Sequence, residues 1–256
     1  MRLIRNARIQ NLKLSENELY TFSLNHTLAL YDIDAIYTFI PKNACSTLRY
    51  SLALANGYLR NIEDINWIHQ NTQTFVASQR EIAKAKYSFI VLRCPYTRIA
   101  SCFLDKVVNE IGVKFHDSLG NQLSINFYEF LSYIYSQNRA NRDQHWRNQT
   151  DFLHYEQYDD YFSLEQFSEA INSLKIHGFK VHNTQNVLKH DSTSFKRIEG
   201  NFSKMKEVEL KKIREEGYVP EYKSMFGDNE IKLVKEIYRD DLDLYVNKFG
   251  NHNLLF

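Results

Sequence analysis

The segment AIYTFIPKNACST, residues 35–47, decides the fold. Its first six residues are apolar, β-branched or aromatic, which is typical of a strand buried on both faces, and a proline ends the run. A polar loop of seven residues, 41–47, is predicted next. Apolar residues then recur at helical spacing from Leu48 to Ala55, where an Asn-Gly pair follows. The segment therefore predicts a strand, a loop and a helix in succession.

The same succession occurs a second time, after residue 86. The run YSFIVL, residues 87–92, predicts another buried strand, and the segment RCP, residues 93–95, ends it. Apolar residues at helical spacing then extend from Ile99 to Ile111, before Gly112. Two such units are typical of parallel strands joined by crossover helices, so we expect an α/β sheet flanked by helices.

The rest of the chain is predicted to be mainly helical, with a short strand at residues 159–163. Eight glycines and three prolines in 256 residues lie well below the usual shares of about 7% and 5%, which favours long helices. Apolar stripes at helical spacing cover residues 127–135, 164–174 and 231–249, and residues 204–216 have the charge pattern of a solvated helix face. No linker divides the sequence, so we predict one domain over residues 1–256, with residues 1–34 as an N-terminal extension packed on it.

Composition excludes several classes of protein. The chain is 43% hydrophobic and 25% charged, which is ordinary for a packed domain and excludes a disordered or fibrous chain. Lys and Arg number 32 and Asp and Glu 31, so the formal charge of +1 gives no overall signal for nucleic acid or membrane binding. An anionic ligand must therefore be met by a local cluster of charge.

The cysteines and the N-terminal residues predict a cytoplasmic location. The three cysteines are odd in number and lack the spacing of metal ligands, which indicates reduced thiols. The first 30 residues carry charges throughout and contain no apolar run of the kind found in signal peptides or membrane spans. The histidines and carboxylates show no ligand motif such as HExxH, so we expect no metal.

The loop after the first strand has the chemistry of an anion cradle. It lies where a strand meets the N-terminus of a helix, which presents backbone N–H groups and a positive dipole end. Lys42 adds a charge, Ser46 and Thr47 add hydroxyls, and Ala44 is small enough for close backbone approach. The loop is not a Walker A motif, because it has no glycine and its lysine comes early. In the alternative interpretation, Lys42 is a surface lysine and Ser46 is a helix N-cap.

The segment RCPYTRIAS, residues 93–101, suggests a second anion contact. Arg93 ends a strand and can hold a phosphate in a bidentate fork, and Ser101 places a hydroxyl in the following helix. The alternative is an ordinary helix N-terminus with Pro95 near its first position and Arg98 in a surface ion pair.

Taken together, the two segments resemble the nucleotide-binding elements of sulfotransferases that use 3′-phosphoadenosine 5′-phosphosulfate (PAPS). The PKxACST loop is similar to that family's 5′-phosphosulfate loop, and RxPxxRxxS is similar to its 3′-phosphate element. Asp105-Lys106, HWRNQ (145–149) and YRDDLDLYVNKF (238–249) resemble the carbohydrate sulfotransferase branch. The sequence departs from the pattern at Cys94, usually acidic in the family, and at Asn148, usually proline.

The resemblance implies a P-loop-like fold and in-line transfer of a sulfuryl group from PAPS to a hydroxyl, leaving adenosine 3′,5′-bisphosphate (PAP). It implies that Lys42 stabilises the negative charge that develops on the leaving oxygen. It also implies that a neutral histidine accepts the proton of the acceptor hydroxyl. His69, in a segment predicted to be a loop (residues 66–70), is the first choice for this base and His145 the second. The acceptor implied is a saccharide or glycolipid, and no nucleic acid is implied.

The resemblance also implies a set of binding residues. The stretch 187–200 lies where the family has a loop that closes over the nucleotide, although an ordinary surface loop is the alternative. The residues expected to bind the donor are Lys42, Asn43, Ala44, Cys45, Ser46, Thr47, Arg93, Ser101, Lys196 and Arg197. Those expected to bind the acceptor are His145, Trp146 and Arg147. The competing functions are a P-loop-like kinase or nucleotidase and a nucleotide-binding module without catalysis.

Overall fold

The secondary structure comes from a computed structural model, which describes residues 2–7, 13–109, 114–116, 120, 122–184 and 195–256. The strands in these residues are β1 (Thr27–Leu30), β2 (Ala35–Thr38), β3 (Tyr87–Leu92), β4 (Phe115–His116), β5 (Gln122–Leu123), β6 (Asp160–Ser163), β7 (Lys196–Ile198) and β8 (Tyr218–Pro220). The α-helices are α1 (Glu18–Asn25), α2 (Cys45–Ala55), α3 (Trp67–Gln70), α4 (Gln79–Lys84), α5 (Pro95–Lys106), α6 (Phe127–Ser136), α7 (Phe167–Ile176), α8 (Glu207–Glu215), α9 (Asp228–Ile237) and α10 (Arg239–Phe249).

Two compact units make up the chain. The first consists of Met1–Arg93 and Asn148–Leu188, and the second of Cys94–Arg147 and Lys189–Phe256. The single domain expected over residues 1–256 stays a prediction. None of the described helices combines the length and the apolar character that crossing a membrane requires.

The first unit contains a four-stranded sheet in the order β1-β2-β3-β6. β2 and β3 are parallel, with Ala35 opposite Tyr87, and β3 and β6 are parallel, with Phe89 opposite Asp160. β1 is antiparallel to β2, so the predicted N-terminal extension supplies an edge strand of the sheet. The parallel strands that the two strand–loop–helix units predict are confirmed, and with them the α/β fold.

The core of the first unit explains why β2 and β3 are mostly apolar and do not alternate apolar and polar residues. Tyr37 and Phe89 are fully buried, and their rings stack with centroids 4.9 Å apart. Leu48 of α2 and Leu174 of α7 belong to the same cluster, so helices cover this face of the sheet. Strands buried in this way read as unbroken hydrophobic runs rather than as alternating patterns.

The second unit is built mainly from helices that pack through aromatic rings. Phe103 of α5 contacts Phe127 and Phe130 of α6, with ring centroids 5.3 and 5.4 Å apart. β7 and β8 form a short parallel pair, and β4 and β5 a short antiparallel one. The predicted stripe at residues 127–135 therefore is a core-facing helix.

Two predicted helices differ from those observed. The helix expected to reach Ile111 ends at Lys106, where two β-branched valines follow, and residues 110–113 lie outside the described part of the chain. The single C-terminal helix expected over residues 231–249 is two helices, α9 and α10. Tyr238 separates them with φ −116° and ψ 29°, and its hydroxyl donates to the carbonyl of Trp146 at 2.7 Å. The apolar stripe continues across this break because both helices bury residues of the same stripe, such as Val234 and Tyr245.

Candidate functional site

The loop between β2 and α2 has an unusual backbone. Lys42 and Ala44 adopt positive φ angles of 74° and 56°, a left-handed conformation that is uncommon outside glycine. α2 begins at Cys45, so the loop is shorter than predicted, and Ala44 is the N-cap. Such outliers cluster at ligand sites when the surrounding structure holds them in place. The sequence did not predict this conformation, because neither residue type favours it.

The N-terminus of α2 keeps its positive character. Ala44 has no side chain that can cap the N–H groups of the first turn, and that turn contains no acidic residue. Ser46 is the second residue of the helix, so the alternative interpretation of Ser46 as the N-cap is wrong. The loop therefore brings backbone donors, Lys42 and two hydroxyl groups to one helix end, which is a donor set that suits an anion.

Asn43 anchors the loop to the end of the sheet. The residue is fully buried, and its Nδ2 donates to the carbonyl of Val91 at 2.9 Å and to Oε1 of Gln149 at 2.7 Å. Its Oδ1 is buried and has no hydrogen-bond partner in the described residues. Asn43 therefore acts as a fixed pivot between the two left-handed residues.

Gln149 joins the same loop to the end of β3. Its Oε1 accepts from the backbone N–H of Arg93 at 3.0 Å, and its Nε2 donates to the carbonyl of Arg93 at 2.9 Å. Gln149 is the last residue of the HWRNQ segment, and no role was predicted for it. Its place in that segment was the only sequence feature that could have drawn attention to Gln149. Gln149 is 1% exposed, and a buried side-chain amide of this kind can bridge two strand ends.

Arg93 lies against the backbone of the first loop. Its Nη1 donates to the carbonyl of Lys42 at 2.9 Å, and the side chain is 9% exposed. The structure therefore brings together two residues that were expected to contact different phosphates. This contact fixes the carbonyl of a left-handed residue and leaves a guanidinium cation beside the loop.

Thr47 and Arg49 connect α2 to two other segments of the first unit. The hydroxyl groups of Thr47 and Thr184 lie 2.6 Å apart, and Thr184 is buried. Arg49 Nη2 donates to the carbonyl of Ile68, and its guanidinium lies 4.7 Å from the ring centroid of Phe39. Burial lowers the pKa of Arg49 from its ordinary value. Sequence reasoning missed both contacts, because nothing local marks them.

His69 lies on α3, a short helix, rather than on the loop that was predicted. The residue is exposed and follows Ile68, whose carbonyl Arg49 binds. Its helix is thereby tied to α2, which starts at the predicted anion loop, observed as residues 39–44. The structure places the first-choice base in the unit that carries Lys42.

The second unit carries the remaining predicted residues. Ser101 is half-buried in α5, and Pro95 is the first residue of that helix, as predicted. Arg98 is buried and donates to the carbonyl of Arg147 at 2.8 Å, so the alternative of a surface ion pair is wrong.

The predicted acceptor residues differ in exposure. Trp146 is buried, and its Nε1 donates to Oε1 of Gln137 at 3.1 Å; Arg147 is also buried. His145 is half-buried, and its Nδ1 lies 2.7 Å from Oδ1 of Asp143. Burial raises the pKa of Asp143, but hydrogen bonds from His145 outweigh it and hold that pKa below its ordinary value.

Lys196 and Arg197 lie on β7, so this part of the predicted loop is a strand, and residues 185–194 lie outside the described part. Lys196 is exposed. Arg197 Nη1 donates to the carbonyl of Pro220 at 3.2 Å, and its guanidinium lies 4.3 Å from the ring centroid of Tyr222. Within the described ranges, no three or more His, Cys, Asp and Glu side chains gather as metal ligands.

The fold and this loop define a class of protein: an α/β sheet in which a polar turn and a helix N-terminus follow the carboxyl end of a central strand. A family model for the sulfotransferase family matches residues 26–246, and the chain belongs to that family. The match extends from β1 into α10 and includes the predicted anion loop, Arg93 and Gln149. No curated protein and no solved structure shows a significant match to the chain.

Proposed function

We propose that the protein transfers a sulfuryl group from PAPS to a hydroxyl group of a saccharide or glycolipid. Membership of the sulfotransferase family supports sulfuryl transfer, and the family generally uses PAPS. The observation that carries the proposal is the anion loop itself, held by Asn43, Gln149 and Arg93 through buried hydrogen bonds. Three cysteines without disulfides support the cytoplasm as the proposed compartment.

The residues of the loop fit the donor nucleotide. PAPS is a polyanion that brings the sulfuryl group when bound. The loop offers Lys42, the hydroxyls of Ser46 and Thr47 and the N-terminal N–H groups of α2, with no carboxylate in the first turn to oppose an anion. Arg93 adds a second cation beside Lys42. Ser101, Lys196 and Arg197 remain the proposed further contacts to the 3′-phosphate side, and His145, Trp146 and Arg147 those to the acceptor.

The proposed chemistry divides between two side chains of the first unit. Lys42 and the N–H groups of α2 stabilise negative charge on the oxygen that leaves, a contribution worth about 10²–10³ in rate for a single donor. His69 takes the proton from the acceptor hydroxyl, with His145 as the second choice, since a neutral imidazole suits this task near pH 7.

Binding of the nucleotide is the first test. Adenosine 3′,5′-bisphosphate at 100 times its dissociation constant should stabilise the protein by about 2.7 kcal/mol in thermal denaturation. Stabilisation by ATP with Mg²⁺ and not by the bisphosphate would contradict the proposal in favour of a kinase or nucleotidase. Binding without transfer of radiolabelled sulfate to any saccharide in an acceptor screen would favour the non-catalytic module.

Transfer by variants is the second test. Lys42→Ala should reduce sulfuryl transfer by about 10²–10³ while the variant stays folded. Lys175→Ala, an exposed lysine of α7 in the same unit, is the matched control and should keep full activity. Loss of the acidic limb of the pH profile, where protonation of the base lowers activity, in His69→Ala but not in His145→Ala identifies the base. Unchanged bisphosphate affinity in Arg93→Ala would contradict the role of Arg93 in donor binding.

A further inference from the structure

The second unit contains a cleft of about 610 Å³ that none of the residues of the proposed transfer site lines. Its walls come from α5, α6, α9, α10 and the C-terminal residues, all within that unit. The volume is within the range of about 300–1,000 Å³ that is typical of small-molecule sites. The lining residues therefore decide which ligand the cleft fits.

Three aromatic side chains, together with Leu242 and Leu254, form the apolar part of the cleft. The rings of Tyr96 and Phe256 are in edge contact, with centroids 5.3 Å apart and planes at 80°. Tyr135 from α6 is 55% exposed, so its ring is free to be covered by a ligand. Exposed aromatic rings beside a concave surface provide stacking faces with a polar end.

Tyr96 supplies a polar group at the wall of the cleft. The residue is 1% exposed and lines the cleft. Its hydroxyl group can hydrogen-bond to water or to a ligand there. Burial raises the pKa of Tyr96 to about 12, so the hydroxyl is a proton donor at neutral pH.

Four exposed charged side chains complete the lining, two of each sign: Lys235, Glu236, Arg239 and Asp243. None of them forms an ion pair or a side-chain hydrogen bond with another described residue, although three- and four-residue separations allow such pairs on a helix. Their donors and acceptors are therefore open to a ligand.

The balance of these groups selects a class of ligand. A simple anion would meet two carboxylates, a simple cation would meet Lys235 and Arg239, and a purely apolar ligand would desolvate all four charges. A neutral pyranose ring matches, because its C–H face stacks on aromatic rings and its hydroxyls both donate and accept. We propose that the cleft lined by Tyr96, Tyr135 and Arg239 binds a neutral saccharide.

A binding assay without turnover tests this site. A negative result in that assay is therefore distinguishable from failure of the proposed transfer reaction. Maltotetraose, cellotetraose and chitotetraose at millimolar concentration are the probes, observed by saturation-transfer NMR on the full chain. At least one should bind, and Tyr135→Ala and Arg239→Ala should each weaken it by tenfold or more. Tyr133→Ala, an exposed tyrosine of the same helix, and Lys232→Ala, an exposed lysine of α9, are the matched controls and should bind as the unmodified protein does.

Three results would overturn the saccharide site. These are no binding of any of the three probes, equal binding by Tyr135→Ala and Arg239→Ala, or tighter binding of a sulfated oligosaccharide or of spermidine that the same two variants abolish. Thermal denaturation of each variant verifies that it is folded, and because both substituted side chains are exposed, the two variants provide independent readings.

Discussion

Gln149 is the residue on which the ends of β2 and β3 depend. Its side-chain amide binds Asn43 and both backbone groups of Arg93, and all three partners are buried or nearly so. Ala44 shows the opposite situation, a residue whose own backbone conformation is unfavourable and is held by its neighbours. Substitution at Gln149 should therefore lower the free energy of unfolding, whereas substitution of Ala44 by glycine should raise it.

Gln149→Ala should lower the free energy of unfolding by about 2–4 kcal/mol, because it leaves buried backbone groups of Arg93 without partners. It should also weaken bisphosphate binding, since the loop loses its support. Urea denaturation and calorimetric titration measure the two effects. Gln79→Ala, an exposed glutamine of α4, is the control, and an equal loss in both variants would contradict the role of the buried amide.

Ala44→Gly should raise the free energy of unfolding by up to about 1 kcal/mol, because glycine adopts the left-handed conformation without steric cost. The matched change Ala83→Gly, on the exposed face of α4, should lower it by about 0.5–1 kcal/mol through lost helix propensity. The midpoint of urea denaturation measures both changes in stability, provided that the dependence of the unfolding free energy on urea concentration is unchanged. Destabilisation of similar size in the two variants would show that the positive φ at Ala44 is unstrained.

At the scale of elements, α2 links the anion loop to α3. Its first turn forms one side of the loop, and Arg49, one turn further on, holds the carbonyl of Ile68. α3 is only four residues long, and isolated helices of that length are unstable in water. The conformation of the segment that carries His69 therefore depends on this contact.

Arg49→Met should increase amide hydrogen exchange in residues 67–70 by about tenfold or more, because it removes a buried hydrogen bond worth about 1.5–3 kcal/mol. In the transferase assay the variant should lower kcat more than it weakens bisphosphate binding. Arg80→Met, an exposed arginine of α4, serves as the control. Unchanged exchange in α3 would contradict the link between the two helices.

At the scale of the whole molecule, His154 connects stability to pH. The residue is fully buried, and its Nδ1 lies 2.9 Å from the hydroxyl of Ser23. Its Nε2 is buried without a partner in the described residues, and burial lowers the pKa of His154 to about 4. The folded protein thus excludes a proton that the unfolded chain binds below pH 6.5.

The resulting prediction is a loss of stability in acid. The contribution of His154 is fully present above about pH 6.5 and is lost as the pH falls toward 4, for a total of about 3 kcal/mol. His154→Gln should flatten this part of the curve of unfolding free energy against pH. His116→Gln, an exposed histidine, should keep the original slope, and parallel curves for the unmodified protein and His154→Gln would contradict the prediction.

The elements were predictable where their signals are local. Residues 87–92 form a strand with the predicted bounds, and α2, α6 and α7 follow their apolar stripes, because burial on one side repeats with the helical period. The break at Tyr238 was missed for the complementary reason. Tyr238 at this break is hydrogen-bonded to Trp146, which lies 92 residues away in sequence, so no local signal marks its position.

The sequence by itself determined the parallel sheet, the place of the loop between β2 and α2 and the sulfotransferase family that the family match bears out, because each depends on residues close together along the chain. Only the tertiary structure decided that Arg93 holds the carbonyl of Lys42, 51 residues away, and that Gln149 joins both strand ends from 56 residues beyond Arg93. The spacing of residues along the sequence does not predict such contacts, because they form only when separate strands come together at one edge of a sheet.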